Sequence, residues 1–280
     1  MKTTVMFLMF CLVAITVLPV ERVKGKIPLS MMEQSVDDMY DGCSEATAEK
    51  VKNEYFPREM NNNKLFKDAW KDKESCAEIK YNTRDNTALT KDQIHALCIY
   101  TGDVPKVYQP FNKAVRESAA YYKTNSFKYH ALHYWLTTAL QTLNIAKTCY
   151  TTYHRSKQTF TGQLNQVIRF GYFTSTSTNP NLVHFGTQTC FHIETCLGAP
   201  IKKYSVNRNE DEVLIPPYET FKITHIEEGS DPKYCKQIFV LKNAGSESKL
   251  NCATAPPKPP KQGCYKAIKA MIGKAFSGCS

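Results

Sequence analysis

The sequence has no Cys-x-x-Cys pair, no Asn-x-Ser/Thr sequon and, beyond residue 20, no apolar run of membrane-spanning length. Each absence excludes something. Structural zinc sites draw on closely spaced thiols, and here even Cys190 and Cys196 stand six apart, so no metal site is expected. Without a sequon, N-glycosylation is not expected. Spanning a bilayer takes about 20 apolar residues, so no transmembrane segment is expected in the body of the chain. A GPI signal needs a hydrophobic C-terminal tail of roughly 10–20 residues, and the C-terminal residues are polar and lysine-bearing, so no such anchor is expected. Nor is there a basic motif interleaved with aromatics. The formal charge is +10, but the lysines are spread out, which describes a solvated basic surface and does not point to nucleic acid.

Cysteine, by contrast, is plentiful, at eleven residues. Met1-Lys2 precedes an apolar run from Val5 to Val20, broken by Thr16 and Pro19, and charge returns at Glu21, Arg22 and Lys24. This reads as a secretory signal peptide over 1–25, cleaved within Val20 to Lys26; the alternative is a single membrane anchor. Cys11 would leave with the leader. An even number of cysteines then remains, as expected of disulfides formed in an oxidising compartment. The chain is expected to be a secreted, extracellular monomer.

Residues 36–147 have helical texture. Thr90 and Gln93 form a capping box ahead of Ile94, Leu97 and Cys98 at helical spacing. Phe111, Ala114, Val115, Ala119 and Tyr122 make a second stripe, and Tyr129, Leu132, Leu136, Ala139, Leu140 and Leu143 a third. His130 and His133, one turn apart, are expected to be structural. From 148 to 242 the pattern changes to short β-branched and aromatic runs. The predicted strands are Cys149–Tyr153, Val167–Thr174, Cys190–Cys196, Glu212–Ile215, Phe221–Ile226 and Gln237–Leu241. Helices first and strands afterwards predict an α+β fold with a mostly antiparallel sheet. A Pro/Lys-rich linker and a short basic amphipathic tail over 253–280 follow the body at 26–252, with Cys264–Cys279 one way to close the tail.

Two segments carry candidate chemistry. Arg169-Phe170-Gly171-Tyr172-Phe173-Thr174-Ser175-Thr176-Ser177 is a strand ending in hydroxyls. Glu210-Asp211-Glu212-Val213-Leu214-Ile215-Pro216-Pro217 sets acids before an apolar strand. Were 211–215 extended, Glu210 and Glu212 would share one face, because strand side chains alternate with period two. One carboxylate could then stabilise a cation while the other handles the incoming nucleophile. Spacing alone also allows an ordinary acidic loop and an ordinary hydroxyl-capped strand end.

At these residues the chain resembles the vertebrate arginine-specific ecto-ADP-ribosyltransferases, whose signature is Arg, then Ser-Thr-Ser, then Glu-x-Glu. The likeness covers about 36–252. It takes in Ser35-Val36-Asp37-Asp38-Met39-Tyr40-Asp41-Gly42-Cys43, the run from Val107 to Arg116, His130-Ala131-Leu132-His133-Tyr134 and Thr195-Cys196-Leu197-Gly198-Ala199-Pro200-Ile201. The resemblance implies an ADP-ribosyltransferase fold: a helical part followed by a two-sheet β core around an NAD cleft. It implies NAD⁺ as co-substrate, with no permanently bound cofactor, and arginine side chains of proteins as acceptors. Glu212 would stabilise the oxocarbenium-like transition state as nicotinamide leaves. Ser175 would orient that glutamate, and Glu210 would polarise the acceptor guanidinium. Tyr172 and Tyr108 would lie near the cleft. Disulfides Cys43–Cys252 and Cys149–Cys196 are implied too, with Cys76, Cys98, Cys190 and Cys235 unassigned.

One position departs from the family pattern. The family arginine follows a tyrosine in Tyr-Arg-Gly, whereas this chain reads Tyr153-His154-Arg155. Consecutive strand residues face opposite ways, so Arg155 replaces the family arginine only through a shift or bulge. Either His154 acts there, or Arg155 does, or activity is weakened. Transfer of ADP-ribose to arginine is the leading reading. An NAD⁺ glycohydrolase and a non-catalytic binding protein on the same scaffold are the alternatives.

Overall fold

The computed structural model describes residues 25–229 and 235–255. The expected leader, and the tail past Ala255 with Cys264 and Cys279, lie outside the described residues.

Among the described residues, seven α-helices fill the chain from 44 to 143: α1 (Ser44–Lys50), α2 (Phe56–Asn62), α3 (Lys64–Asp72), α4 (Glu74–Asn82), α5 (Lys91–Tyr100), α6 (Tyr108–Glu117) and α7 (His130–Leu143). A π-helical turn, Val51–Tyr55, carries α1 into α2. The Thr90–Gln93 capping box starts α5, and every residue of this helix from Gln93 to Tyr100 is buried. The same holds for α7 from His130 to Leu140. Helices apolar all round belong inside a fold, and these two form its helical centre. The stripe predicted from Phe111 to Tyr122 is not one helix. It breaks at Ser118, where the Ala119 N–H leaves for the Gln34 carbonyl and Ala119–Tyr121 makes a short 3₁₀ turn.

The strands are β1 (Ile27–Pro28), β2 (Tyr150–Ser156), β3 (Phe160–Thr161), β4 (Val167–Ile168), β5 (Thr174–Ser177), β6 (Thr189–Thr195), β7 (Ala199–Pro200), β8 (Glu212–Ile215), β9 (Glu219–Glu228) and β10 (Gln237–Ser246). β1 pairs in parallel with β3. The other strands run in the order β4-β9-β10-β6-β2-β5-β8-β7, antiparallel except for the β10–β6 pair. The expected two-sheet core is thus a continuous ladder almost parted in the middle. β2 and β5 meet at one register pair, Tyr153 with Ser177, and diverge from there.

The strand predicted over Val167–Thr174 is really two, β4 and β5. Between them Gly171 takes φ +70°, and a Cβ there would come within 2.5 Å of Met32. The N-terminal segment packs against this point, with Ser35 Oγ donating to the Gly171 carbonyl at 2.6 Å. Arg169 leaves the sheet to pair with Asp37, both side chains fully buried. The predicted strands at 221–226 and 237–241 extend further on both or one side, because β9 and β10 form a long hairpin with two register irregularities.

Among the described residues, four disulfides join Cys43–Cys252, Cys76–Cys98, Cys149–Cys196 and Cys190–Cys235. The two pairs implied by the family resemblance are among them. No described helix is long and apolar enough to cross a membrane.

Candidate active site

A cleft of about 280 Å³ opens where the sheet parts. β2 contributes Tyr153, His154 and Arg155, β5 contributes Ser175, Thr176 and Ser177, and β8 contributes Glu212. Tyr100 of α5 and Tyr108 of α6 close it from the helical side, and Glu210 stands at the turn before β8.

β8 explains the position of Glu212. Val213, Leu214 and Ile215 are fully buried and pair with β5, so the strand is anchored by its apolar residues and its first side chain is carried inside. Glu212 is only 4% exposed. Burial pushes its carboxyl up to about 7, a rise that hydrogen bonds from Ser175 and Ser205 oppose and the Glu210 charge reinforces. A buried carboxylate without a counter-cation is costly to ionise.

Glu210 does not share a strand face with Glu212. The chain is not extended across 210–212. Arg208–Glu210 is a 3₁₀ turn, and Asp211 takes a left-handed conformation, φ +45° and ψ +47°. That kink, and not strand alternation, brings both acids to one cleft. The turn is held on two sides: Ser177 Oγ donates to the Glu210 carbonyl, and Asn207 Nδ2 donates to Glu210 Oε1 at 3.1 Å. Glu210 is half-buried. Its carboxyl is raised chiefly by burial, with His184 lowering it and Asp103 raising it.

The register of β2 against β6 runs without a break from Tyr150–Thr195 to Ser156–Thr189. The strand therefore carries no bulge at the departure from the family pattern, and His154 and Arg155 point to opposite faces. Both nevertheless line the cleft. His154 packs against the Phe170 and Phe191 rings, with Nδ1 2.9 Å from the Ser175 carbonyl. Burial lowers its pKa, partly offset by that bond, so the ring is neutral at pH 7. Arg155 turns outward, donating from Nε at 3.0 Å and Nη2 at 2.8 Å to the Pro180 carbonyl, with Nη1 3.4 Å from Cys235 Sγ.

Of the two tyrosines expected near the cleft, Tyr108 lines it. Tyr172 does not; its ring lies 4.5 Å under the Arg116 guanidinium. His130 and His133 sit deep in the helical part. His130 contacts Glu59 Oε1 at 3.2 Å, and His133 is held between the Tyr40 hydroxyl and the Val36 carbonyl. Burial drives His133 down to about 3. Among the described residues no cluster of His, Cys, Asp and Glu is arranged to hold a metal.

Sequence reasoning missed Tyr100, Ser205 and Asn207. Tyr100 lies in a helix whose stripe reads as core, and Ser205 and Asn207 lie in a loop without periodicity. Only their tertiary neighbours mark them.

A protein-family model for NAD:arginine ADP-ribosyltransferase matches residues 29–241. The chain is 31% identical over 247 residues to the erythroblast NAD(P)(+)–arginine ADP-ribosyltransferase of Gallus gallus, covering 85% of this chain and 79% of that one. It is 34% identical over 236 residues to the T-cell ecto-ADP-ribosyltransferase 1 of Mus musculus, covering 80% and 77%. Among solved structures, the eukaryotic mono-ADP-ribosyltransferase ART2.2 superposes with a TM-score of 0.69 at 30% identity, over 81% of this chain and 98% of that one. A variant of it in complex with NAD gives 0.68 at 29%. The match runs through the helical part, the parted sheet that holds Ser175 and Glu212 and the turn that holds Glu210, and the chain belongs to the NAD:arginine ADP-ribosyltransferase family.

Proposed function

We propose that this protein transfers ADP-ribose from NAD⁺ to arginine side chains of protein acceptors, releasing nicotinamide, and that it does so as a secreted monomer. The observation that carries the reading is the pairing of two unlike carboxylates in one cleft, Glu212 buried at its floor and Glu210 half-buried at its mouth.

In this reading NAD⁺ lies with its nicotinamide riboside toward Ser175 and Glu212. The bond between ribose C1′ and the nicotinamide nitrogen breaks, its electron pair leaving with neutral nicotinamide. Positive charge develops on the ribose, and ionised Glu212 stabilises it from a water-poor position where electrostatics are strong. A guanidinium held by Glu210 through charge-assisted hydrogen bonds then brings one nitrogen to C1′. The proton lost from that nitrogen passes to the Glu210 carboxylate and on to solvent. His154 and Arg155 flank the dinucleotide, the first as a neutral hydrogen-bonding ring and the second as the fixed cation nearest the mouth.

The test uses labelled NAD⁺ with and without an arginine acceptor, reading both free nicotinamide and labelled product. Wild type is expected to label arginine. Glu210→Gln is expected to keep nicotinamide release while losing transfer, because the amide keeps the size but not the charge. Nicotinamide release by wild type with no labelled acceptor would make the protein a glycohydrolase; no release at all would make it a binding protein.

A further inference from the structure

α4 exposes an isoleucine and buries the lysine beside it. Ile79 is 60% exposed and Lys80 only 9%, the reverse of what side-chain hydrophobicity asks for. Lys80 shares its face with Ala77 and, one turn back, with Cys76, whose disulfide to Cys98 fixes α4 on α5. A lysine placed there can bury its methylene stem, but its ammonium needs acceptors, because a buried cation left unbonded is costly.

The acceptors come from the connection between β7 and β8. Lys80 Nζ donates to the Lys203 carbonyl at 3.1 Å and to the Ser205 carbonyl at 3.0 Å. Residues 201–207 form no helix or strand, so the polar groups of this backbone are held from elsewhere. Thr101, just past α5, gives a second hold, its Oγ1 accepting the Val206 N–H at 3.0 Å. The connection is closed at its base, where the Ile201 N–H donates to the Glu212 carbonyl at 2.9 Å. From these holds a run of hydrogen bonds leads to the acid at the mouth of the cleft. Ser205 Oγ accepts the Asn207 N–H at 3.1 Å, and Asn207 Nδ2 donates to Glu210 Oε1 at 3.1 Å. Asn207 and Glu210 line the cleft; Lys80 is outside it. The ammonium fixes the backbone at 203 and 205, and that backbone sets where the Asn207 amide, and with it one Glu210 oxygen, can stand.

We propose that Lys80 is a positioning residue for transfer to arginine: from inside the helical part it clamps the β7–β8 connection, so that Asn207 and Glu210 meet the acceptor guanidinium in a fixed geometry. The proposal rests on the role given to Glu210 above. Geometry counts there because a guanidinium presents its donors as a rigid fork, which a carboxylate matches only when its plane is set. The bond from Asn207 sets that plane, and a carboxylate has acceptor positions to spare after one such bond. Release of nicotinamide depends instead on Glu212, which β8 carries on its own apolar anchors Val213, Leu214 and Ile215.

Lys80→Met is the decisive variant, because it keeps a long unbranched stem and removes the donors. KM for an arginine acceptor is expected to rise about tenfold, the weight of a lost hydrogen bond from a charged group, with KM for NAD⁺ unchanged. Nicotinamide release without acceptor is expected to fall by about twofold at most. Adding Asn207→Ala to Lys80→Met is expected to cost little beyond either single change, since both break the same run. Thr101→Val keeps the side-chain shape, releases the Val206 N–H and serves if Lys80→Met folds poorly; it is expected to raise the acceptor KM by less. An unchanged acceptor KM, an equal loss of transfer and of nicotinamide release, or full additivity with Asn207→Ala overturns the proposal. Glu210→Gln run in parallel separates the two claims. If it loses transfer while Lys80→Met keeps transfer in full, only the clamp fails; if it transfers as wild type does, the role of Glu210 fails and the clamp with it.

Discussion

Ser177 lies directly opposite Glu212 in the β5–β8 ladder, and its hydroxyl reaches past that partner to the main-chain oxygen of Glu210. One side chain thus ties the strand that starts at the buried acid to the turn that presents the half-buried one. The Ser177 hydroxyl oxygen also accepts from the Asn179 N–H at 2.9 Å, so it fixes the exit of β5 as well.

Removing this hydroxyl should loosen the turn and leave the strand intact. Ser177→Ala is expected to lower arginine transfer about three- to tenfold, equivalent to roughly 1 kcal/mol for one hydrogen bond. Nicotinamide release without acceptor should change much less, because Glu212 is anchored by Val213, Leu214 and Ile215. Initial rates with and without acceptor check this. Equal loss in both assays would mean that Ser177 supports the floor of the cleft and not its mouth.

Glu212 should cost the protein stability where it serves activity. Its pKa rises from 4.5 to about 7 on folding, chiefly through burial. The native state therefore holds that proton more tightly than the unfolded chain. Any stability linked to it is present below the unfolded value and lost as pH climbs through the folded one. Glu212→Gln should therefore be nearly neutral at about pH 5 and stabilising at about pH 8, by up to roughly 3 kcal/mol. Nicotinamide release should be abolished, the loss appearing in kcat. Thermal melts at the two pH values read the first effect; a variant no more stable than wild type at the higher pH would contradict the buried, unpaired charge.

The Asp37–Arg169 pair makes the opposite prediction. Both side chains are wholly buried, at 2.5 Å. Arg169 also donates to the Met31 and Glu247 carbonyls and, at 3.2 Å, to that of Met32, while Asp37 accepts the Lys249 and Leu250 N–H groups at 3.0 and 2.9 Å. The pair joins the N-terminal segment, the stretch between β4 and β5 and the C-terminal end of the described chain. Arg169→Met should destabilise by about 3–5 kcal/mol, since it strands a buried carboxylate. The double variant Asp37→Asn, Arg169→Met should recover part of that loss. Urea midpoints measure both.

What could be read from the sequence, and what could not, follows from how far each feature reaches along the chain. The capping box at Thr90–Gln93 and the strand at 212–215 depend on neighbours a few residues away, and both stand where the local pattern puts them. The break at Gly171 depends on Met32 and Ser35, well over a hundred residues distant, so the hydrophobic run from 167 to 174 reads as one strand and folds as two. Glu210 and Glu212 are recognisable as a pair in the sequence, but strand alternation does not bring them together; the left-handed Asp211 does. The family resemblance implies a place near the cleft for Tyr172, yet the residue is not among those lining it, and its ring lies under Arg116. Tyr100 was hidden in an apolar helix that is buried on every side, where one hydroxyl leaves no mark on periodicity.

The last prediction concerns the strand that departs from the family pattern. Unbroken pairing along β2 keeps His154 beside Ser175 and leaves Arg155 bound to the Pro180 carbonyl at the mouth. A neutral ring beside a dinucleotide offers hydrogen bonds but no charge. His154→Arg should therefore tighten NAD⁺ binding, because a permanent cation would stand near the phosphates. The gain should be modest, since the new guanidinium must displace the packing of the ring on Phe170 and Phe191. Arg155→Ala should change turnover little if the guanidinium stays with Pro180 when NAD⁺ binds. If it swings into the cleft instead, Arg155→Ala should raise KM for NAD⁺ about tenfold or more, as expected when a charged hydrogen bond to phosphate is lost. Titration of NAD⁺ against the two single variants distinguishes these outcomes. Tighter binding in His154→Arg with an unchanged KM in Arg155→Ala assigns the family arginine's place to His154; the reverse pattern assigns it to Arg155, reached by rotation of a long side chain and not by any shift of the strand.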